Sequence, residues 1–433
     1  MNLLLCVGLV LLAPGLYAQS VPAPTPLAPP EATVALSLAE CRTLALRQNQ
    51  RLTASGQRQL AAEAGHAAAK TNRLPKLDFS STGYYVRGLG STLNTQGVTA
   101  GVGVTQPIYS GGRLRAQTAL AGVTAQAAAE EVQATRQQLV TETDQTYWQT
   151  VALRDQVTLA ERNCAQLLAL VRDLDNKRQA GLAYKADVLR AQVQLRAAEV
   201  QLLRTRDDQR QSQLVLRQLI GRPTSDSLQL AESIEGAFPT VSPADYAARA
   251  LAQRPDLHRL ALTNQADSLQ IDVARSARRP QVNASVNVLY LRQKPGFLLP
   301  DNNYTPAYAL LSVNFPLVHW QENRLLESQR RYQAQASRAD LTEAQQQVVL
   351  AVNRNLLALN QAARRIELQA LTVTQAQENL RLNDNRFRAG LLSLVDLLDA
   401  QTLSQRAAAE LVDAKAEYRI AEAALLQAIG EPR

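Results

Sequence analysis

The chain has 433 residues, a formal net charge of +8 and only 4% aromatic residues. Long runs of Ala, Leu, Gln, Arg and Glu are typical of extended helices that pack through small residues, and they argue against a compact enzyme with an aromatic core. The Arg residues alternate with Glu, Asp and Gln and do not cluster with aromatics. This pattern indicates solvated helix surfaces and argues against a nucleic-acid partner.

The N-terminal segment, residues 1–18, is apolar, too short for a membrane span, and ends in the small residue Ala18. These features predict a secretory signal peptide. Cys6 follows too few apolar residues to be a lipoprotein processing site. Residues 19–37 are rich in Pro and Ala, which predicts a linker.

Two copies of one unit make up the remaining chain. Residues 44–52 resemble residues 249–257 at an offset of 205. Three landmarks farther along the chain have an offset of 209, so the second copy carries a four-residue insertion between them. Such self-similarity predicts repeat 1 over 38–220 and repeat 2 over 246–430, joined by a linker over 221–245. Three landmarks recur 209 residues apart: Pro107 and Pro316, Gly181 and Gly390, and Gly221 and Gly430.

Each repeat contains one stretch in which apolar residues alternate with polar ones. Val282, Val286 and Tyr290, for example, are separated by Asn, Ser and Leu residues at every second position. A period of two predicts strands with one apolar face. Each strand is about ten residues long, which is enough for a tilted strand to cross a bilayer. We therefore predict β-hairpins over 75–108 and 280–317.

The other segments have a helical period. Apolar or small residues repeat every three or four positions from Leu153 to Leu174, which is a coiled-coil pattern. Each long helix would extend roughly 100 Å at 1.5 Å per residue. For repeat 1 we predict, in chain order, a helix from residue 38, the hairpin, a long helix over 111–178 and a helix over 185–220. For repeat 2 we predict a helix from residue 246, the hairpin, a long helix over 320–387 and a helix over 393–430.

The fold class is therefore predicted as mainly α with a small β part. Four strands cannot close a barrel, and a bilayer does not tolerate unpaired strand edges. Oligomerisation is then required, and three copies would give a twelve-stranded barrel with a passage through it.

The repeats resemble the TolC-type outer-membrane efflux protein family, also called outer membrane factors. The resemblance is carried by RALAQRPDL (249–257), TQPIYSGGR (105–113), the two Gly-Leu turns with a downstream Asp, and the Ile-Gly helix ends. It covers nearly all of the chain after the leader. It implies a homotrimer in the outer membrane, an α-helical periplasmic tunnel, a periplasmic adaptor (membrane fusion) protein and an inner-membrane pump.

In that family the tunnel entrance lies at turns that correspond to Gly181-Leu182 and Gly390-Leu391, and these turns also receive the adaptor. The resemblance assigns both roles to these four residues. A plain helix C-cap is the simpler interpretation, because Gly after a helix readily adopts positive φ. The two interpretations are compatible.

Asp396 and Asp399 match paired aspartates that in the family ring the entrance and bind or filter cations. Their spacing puts them on one helix face, and threefold symmetry would gather six carboxylates around one axis. Ser393 precedes Asp396 by three residues, so Asp396 can equally be an N-terminal capping acid. Both interpretations of Asp396 stay open, and the pore interpretation is favoured for Asp399.

Asp187 corresponds to an aspartate that, in the best-known members, latches the closed entrance through a Tyr and an Arg of the other repeat. Phe387 and Leu392 occupy those positions and cannot form the same bonds. An ion pair of Asp187 with Arg386 or Arg388 is an alternative hypothesis, which unchanged closed-state conductance of an Asp187→Ala channel would reject. Asp187 also fits an ordinary first-turn acid.

Catalytic and metal-binding motifs are not found in the sequence. His66, His258 and His319 lie on separate segments, and Cys41 and Cys164 fit small packing residues on helices. No catalytic residue, metal ligand or cofactor is predicted. We expect a non-enzymatic channel subunit of a tripartite efflux or type I secretion system; the alternative is a structural or adaptor-like periplasmic coiled-coil protein without a pore.

Overall fold

A computed structural model describes residues 35–87, 94–223, 228–242, 245–294 and 302–431. The predicted signal peptide over 1–18 and residues 19–34 of the predicted linker lie outside the described residues, as do residues 88–93 and 295–301 within the two predicted hairpins.

The described chain is mostly helical with one small sheet, which confirms the predicted mainly α class. The first unit contains α1 (Leu38–Gln48), α2 (Gln50–Thr71), β1 (Lys76–Arg87), β2 (Asn94–Tyr109), α3 (Arg113–Gln179) and α4 (Lys185–Ile220). The second contains α5 (Tyr246–Gln253), α6 (Pro255–Ser276), β3 (Gln281–Lys294), β4 (Asn302–Tyr304), β5 (Ala307–Asn314), α7 (Glu322–Arg388) and α8 (Leu394–Ile429).

The first helical segment of each unit is divided in two, where the sequence suggested one continuous helix. Asn49 is extended between α1 and α2; its side chain accepts a hydrogen bond from the Arg51 N–H and donates one to the Leu219 carbonyl. Arg254 is extended between α5 and α6 because it precedes Pro255, whose ring disfavours a helical residue before it. Local chemistry at one residue therefore ends each short helix.

The two hairpins form a single antiparallel sheet. β1 pairs with β2, β2 pairs with β3 across the two units, and β4 and β5 both pair with β3. The pairing of β2 with β3 is interrupted by a bulge between Pro107 and Tyr109, where Pro cannot donate a ladder hydrogen bond. β1 and β5 are the outer strands of the described sheet at its base, which is the end next to the helices.

The helices pack mainly through α3, which contacts α2 and α6 toward the sheet and α4 and α8 toward the other end. No helix in the described part of the chain has the length and apolar character needed to cross a membrane. The central apolar cluster lies where α1, α3, α4 and the inter-repeat segment meet, and burial raises the pKa of its Cys41 thiol to about 12. It includes Leu36, Cys41, Leu139, Tyr147, Val151, Leu216, Ile220 and Ile234.

A bidentate ion pair ties α1 to α3 beside this cluster. The Arg42 Nε and Nη2 atoms donate to the Asp144 Oδ1 and Oδ2 atoms at 2.7 and 2.8 Å, and the Asp144 side chain is only 6% exposed. Burial raises the pKa of Asp144, while the hydrogen bonds and charge of Arg42 oppose that rise. The arginine therefore compensates for a carboxylate held away from water.

We predict that Arg42→Ala lowers the free energy of unfolding by about 3 kcal/mol, because it leaves a buried carboxylate unpaired. Arg51→Ala is the matched control, since its ion pair with Glu142 also joins the N-terminal helices to α3 but is largely solvated; its loss should cost at most about 1 kcal/mol. Guanidinium-induced unfolding followed by circular dichroism measures both.

The free energy of unfolding that Arg42→Ala loses should also depend on pH. Without Arg42 the pKa of Asp144 rises further in the folded state, so folded protein binds a proton more tightly than unfolded protein does. Stability is then lost as pH rises through the folded-state pKa, and the deficit should be smaller in mildly acidic than in neutral buffer. Equal losses for the two variants, or a deficit independent of pH, would contradict this prediction.

Candidate functional site

Two similar helix turns connect α3 to α4 and α7 to α8. At the first, the Leu182 N–H donates to the Lys177 carbonyl at 2.7 Å and the Gly181 N–H donates to the Arg178 carbonyl at 3.0 Å. The second has the same pair of bonds, from Leu391 to the Arg386 carbonyl at 2.9 Å and from Gly390 to the Phe387 carbonyl at 3.0 Å. This is the Schellman arrangement of a helix C-terminus.

Glycine is required at both turns by backbone conformation. Gly181 has φ +77° and Gly390 has φ +73°, a region that side chains with a Cβ rarely adopt. A Cβ added at either position would meet nothing within 4 Å, so the constraint is conformational and not steric. The C-cap interpretation of the two glycines therefore describes their local geometry.

The leucine that follows each glycine points away from the helices. Leu182 and Leu391 are both 78% exposed, although the residue at this position of a Schellman motif commonly packs back on the preceding turn. Tyr184, at the end of the first turn, is also exposed. Both turns thus present apolar side chains that make little contact within the described protomer.

Asp187 and Asp396 occupy equivalent positions, 209 residues apart, in the first turns of α4 and α8. Asp396 has the capping geometry: its N–H donates to the Ser393 Oγ at 3.3 Å, and the Ser393 hydroxyl donates to the Asp396 Oδ2 at 2.6 Å. Tyr184 replaces that serine before α4, where no side-chain cap forms. The duplication has therefore kept the acid and changed its environment.

Asp399 lies one turn beyond Asp396 on α8 and is exposed. Within the ranges that the structure describes, its carboxylate makes no hydrogen bond or ion pair, whereas the Asp396 carboxylate is held by Ser393. The two acids that the sequence grouped together therefore differ in their contacts.

The protomer does not bring Asp187 to Arg386 or Arg388. The cation found near Asp187 is Arg190, one turn along the same helix, at 4.0 Å between Oδ1 and Nη1. Arg388 instead pairs with Asp384 of α7 at 2.8 Å. The alternative latch suggested by the sequence is thus not formed within one chain.

Phe387 contributes to the contact between the two units near the turns. Its ring packs against an apolar cluster, and the Lys177 Nζ lies 5.6 Å from the ring centroid, within cation–π range. The sequence identified Phe387 only as a residue unable to form the family's bond; an aromatic residue in the last turn of a long helix was the available signal. The cluster contains Leu167 and Leu174 of α3, Val188, Ala191, Leu195 and Ala198 of α4, and Leu394 and Leu398 of α8.

An open groove of about 930 Å³ runs between α3, α7 and α8 beside these turns. Charged side chains of both signs line it, including Asp173, Lys177, Arg381, Asp384 and Arg388. The described ranges contain no group of three or more His, Cys, Asp or Glu residues placed to hold a metal ion.

Known proteins with related sequences are exporters or secretion components. The chain is 24% identical over 290 residues to the pyoverdine export outer membrane protein OpmQ of Pseudomonas putida, covering 66% of this chain and 60% of that protein. It is 25% identical over 337 residues to the alkaline protease secretion protein AprF of Pseudomonas aeruginosa, covering 75% and 64%. The chain thus spans less than two thirds of the length of these curated relatives.

Solved structures with the same fold include outer-membrane channels. CusC superposes with a TM-score of 0.79 at 17% identity, covering 92% of this chain and 93% of that one. The CmeC outer membrane channel of Campylobacter jejuni gives 0.79 at 18% identity, covering 91% and 85%. The family model described as outer membrane efflux protein matches residues 42–222 and again residues 247–431. The chain therefore belongs to the outer membrane efflux protein family.

Proposed function

We propose that the chain is a subunit of an outer-membrane export channel that extends into the periplasm and conducts substrates passively. The observation that carries this proposal is one continuous apolar face across the sheet. In register, Phe79 lies opposite Val102, and Val102 lies opposite Val288; one step along, Leu77, Val104 and Val286 are aligned in the same way. All six side chains are exposed in the protomer.

The opposite face of the same sheet is mostly polar. Ser80 lies opposite Gly101, Asp78 opposite Gly103, and Asn287 opposite Gly103 on the next strand. A sheet with one apolar and one polar face fits a wall between lipid and a water-filled passage. A periplasmic coiled-coil protein without a pore, the alternative, has no use for such an exposed apolar face.

The barrel requires more than one chain. Each protomer contributes the strands β1, β2, β3 and β5, and its outer strands β1 and β5 have unpaired edges at the base of the sheet. Lipid does not hydrate unpaired backbone groups, so β5 of one copy pairs with β1 of the next. We propose a homotrimer with twelve strands, because that number encloses a passage.

The helices support a periplasmic tunnel and an adaptor at its entrance. α3 and α7 have 67 residues each, or roughly 100 Å of helix, and end together at the two turns. The turns form the periplasmic entrance, and the exposed Leu182 and Leu391 dock the helical hairpins of a periplasmic adaptor that connects to an inner-membrane pump. Cargo of the kinds named for the relatives, a small exported molecule or a secreted polypeptide, both fit this role.

Cell fractionation tests the channel itself. Outer-membrane fractions should contain the protein as a trimer that resists detergent until heated, and the purified trimer should conduct ions in a planar bilayer. The alternative, a periplasmic coiled-coil protein without a pore, predicts a water-soluble protein without conductance. Recovery of the protein as a monomer without membrane-embedded strands rejects the proposal.

For the entrance, we predict that Asp399→Asn lowers the K⁺/Cl⁻ permeability ratio severalfold, because three copies of an unpaired carboxylate surround the axis. Asp396→Asn is the matched control and should have the smaller effect, since Ser393 already holds that carboxylate. Reversal potentials across a salt gradient give both ratios. The opposite order of effects, or no change in either channel, counts against a pore role for Asp399.

For docking, we predict that Leu182→Asp with Leu391→Asp abolishes adaptor capture while changing the free energy of unfolding by no more than about 0.5 kcal/mol, because both side chains are exposed. Photo-crosslinking from Ala183 and Leu392 measures the capture. Gly181→Ala with Gly390→Ala separates docking from capping: each substitution should cost about 1 kcal/mol through strain at positive φ while leaving both leucines in place. If the leucine pair still captures adaptor at the wild-type level, these turns are not the docking site.

A further inference from the structure

The positive charge of the chain is concentrated in four short segments, residues 70–78, 106–115, 272–279 and 322–331. Together they hold eleven Lys and Arg residues and four Asp and Glu residues, a net charge of +7 out of +8 for the whole chain. The rest of the chain is therefore almost neutral. Such a distribution calls for a local explanation.

Tertiary contacts bring the four segments together where the sheet meets the helices. The Gln106 Nε2 atom donates to the Arg73 carbonyl at 2.9 Å, and the Arg279 Nη1 atom donates to the Gly111 carbonyl at 3.0 Å. The Arg275 Nε atom donates to the Glu327 Oε1 at 2.9 Å. We call the four segments the basic band.

One buried acid neutralises only part of this charge. Glu327, with a side chain 6% exposed, is contacted by Arg275, by Arg278 at 3.3 Å and by Arg331 at 2.7 Å. Its two oxygens cannot satisfy all the donors of three half-exposed guanidiniums. Asp272 also contacts Arg275, at 3.2 Å, so three arginines share two carboxylates and the cluster keeps a net charge of +1.

Other arginines of the basic band have no carboxylate partner among the described residues. Arg73, Arg115 and Arg324 are exposed and form no ion pair there, and the Nε of Arg113 is buried without a hydrogen-bond partner. Their guanidiniums are free to bind an anion that is not part of the protomer.

Exposed apolar side chains immediately precede the fourth segment of the basic band in the sequence. Leu317, Val318 and Trp320, between β5 and α7, are 83%, 70% and 90% exposed. Trp320 and Gln321 both have positive φ, at 41° and 67°, so the chain turns sharply before Arg324 and α7. Tryptophan beside Lys and Arg is the pattern of a membrane–water interface, where rings meet hydrocarbon and cations meet headgroups.

We propose that the basic band binds the headgroups of anionic phospholipids in the periplasmic leaflet, with Trp320 inserted among their chains. The inference rests on the proposed function, which puts this end of the sheet at the periplasmic face of the outer membrane. Positive charge alone would equally suit anions inside the passage. The exposed Leu317, Val318 and Trp320 favour lipid, since a water-filled passage offers these side chains no hydrocarbon.

Lipid retention by the purified trimer tests the headgroup site. The trimer is incubated in detergent with phosphatidylglycerol or phosphatidylcholine, and retained lipid is counted by native mass spectrometry. Wild-type trimer should retain phosphatidylglycerol in excess, and the triple variant Arg73→Gln, Arg115→Gln, Arg324→Gln should lose about fivefold or more of it. The control Arg58→Gln, Arg204→Gln, Arg354→Gln removes the same charge from exposed arginines outside the basic band and should retain wild-type amounts.

Fluorescence tests the tryptophan independently. The chain has two tryptophans, and Trp148 packs against the central helical cluster. In vesicles containing phosphatidylglycerol with brominated acyl chains, emission of the wild-type trimer should be quenched, and the quenched component should disappear in Trp320→Phe. Absence of that component overturns insertion of Trp320.

The outcomes separate this inference from the proposed function. A wild-type protein that forms no membrane-embedded trimer overturns both. A conducting trimer that retains the two lipids equally, or a triple variant that retains phosphatidylglycerol as the wild type does, overturns the lipid site alone. A triple variant with unchanged lipid retention and altered ion selectivity assigns the basic band to the passage, which also overturns it.

Discussion

The register between β2 and β3 determines which side chains of the sheet share a face. These strands belong to different repeats, so their hydrogen bonds align two hairpins that begin 205 residues apart in the sequence. A slip of one residue would move the apolar set of one hairpin to the polar side of the other. Gly101 and Gly103 lie in this pairing, where an added Cβ at Gly101 would come within 2.7 Å of the Val288 carbonyl oxygen. Both the apolar face and the unpaired outer edges depend on this alignment.

Much of the fold was predictable from periodicity. α3 and α7 follow heptads, and the strands follow a period of two, because each pattern reflects burial along one face of a regular element. The breaks at Asn49 and Arg254 were missed. Asn49 is held by the Leu219 carbonyl of a distant helix, which no local pattern reveals. Arg254 was foreseeable, since Pro255 follows it, but the helical pattern on either side obscured the break.

The candidate site divides in the same way. Glycine commonly follows the last residue of a helix, so the turn geometry at Gly181 and Gly390 could be predicted from the sequence. The surroundings of the acids could not, because they depend on which residue stands three positions earlier and on packing between units. Ser393 holds Asp396, while Tyr184 leaves its counterpart without a cap. The contact of Phe387 with Lys177 likewise arises only when the ends of α3 and α7 are brought side by side.

The ion pair between Arg42 and Asp144 occurs in only one half of the duplicated chain. The corresponding positions of the second half are Ala247 and Asn353, which cannot form an ion pair. The proposed trimer would therefore contain six similar units but only three such ion pairs, in alternate units around its circumference. In the proposed trimer, a load applied along the axis would be carried unequally, with stiffer units alternating with more compliant ones.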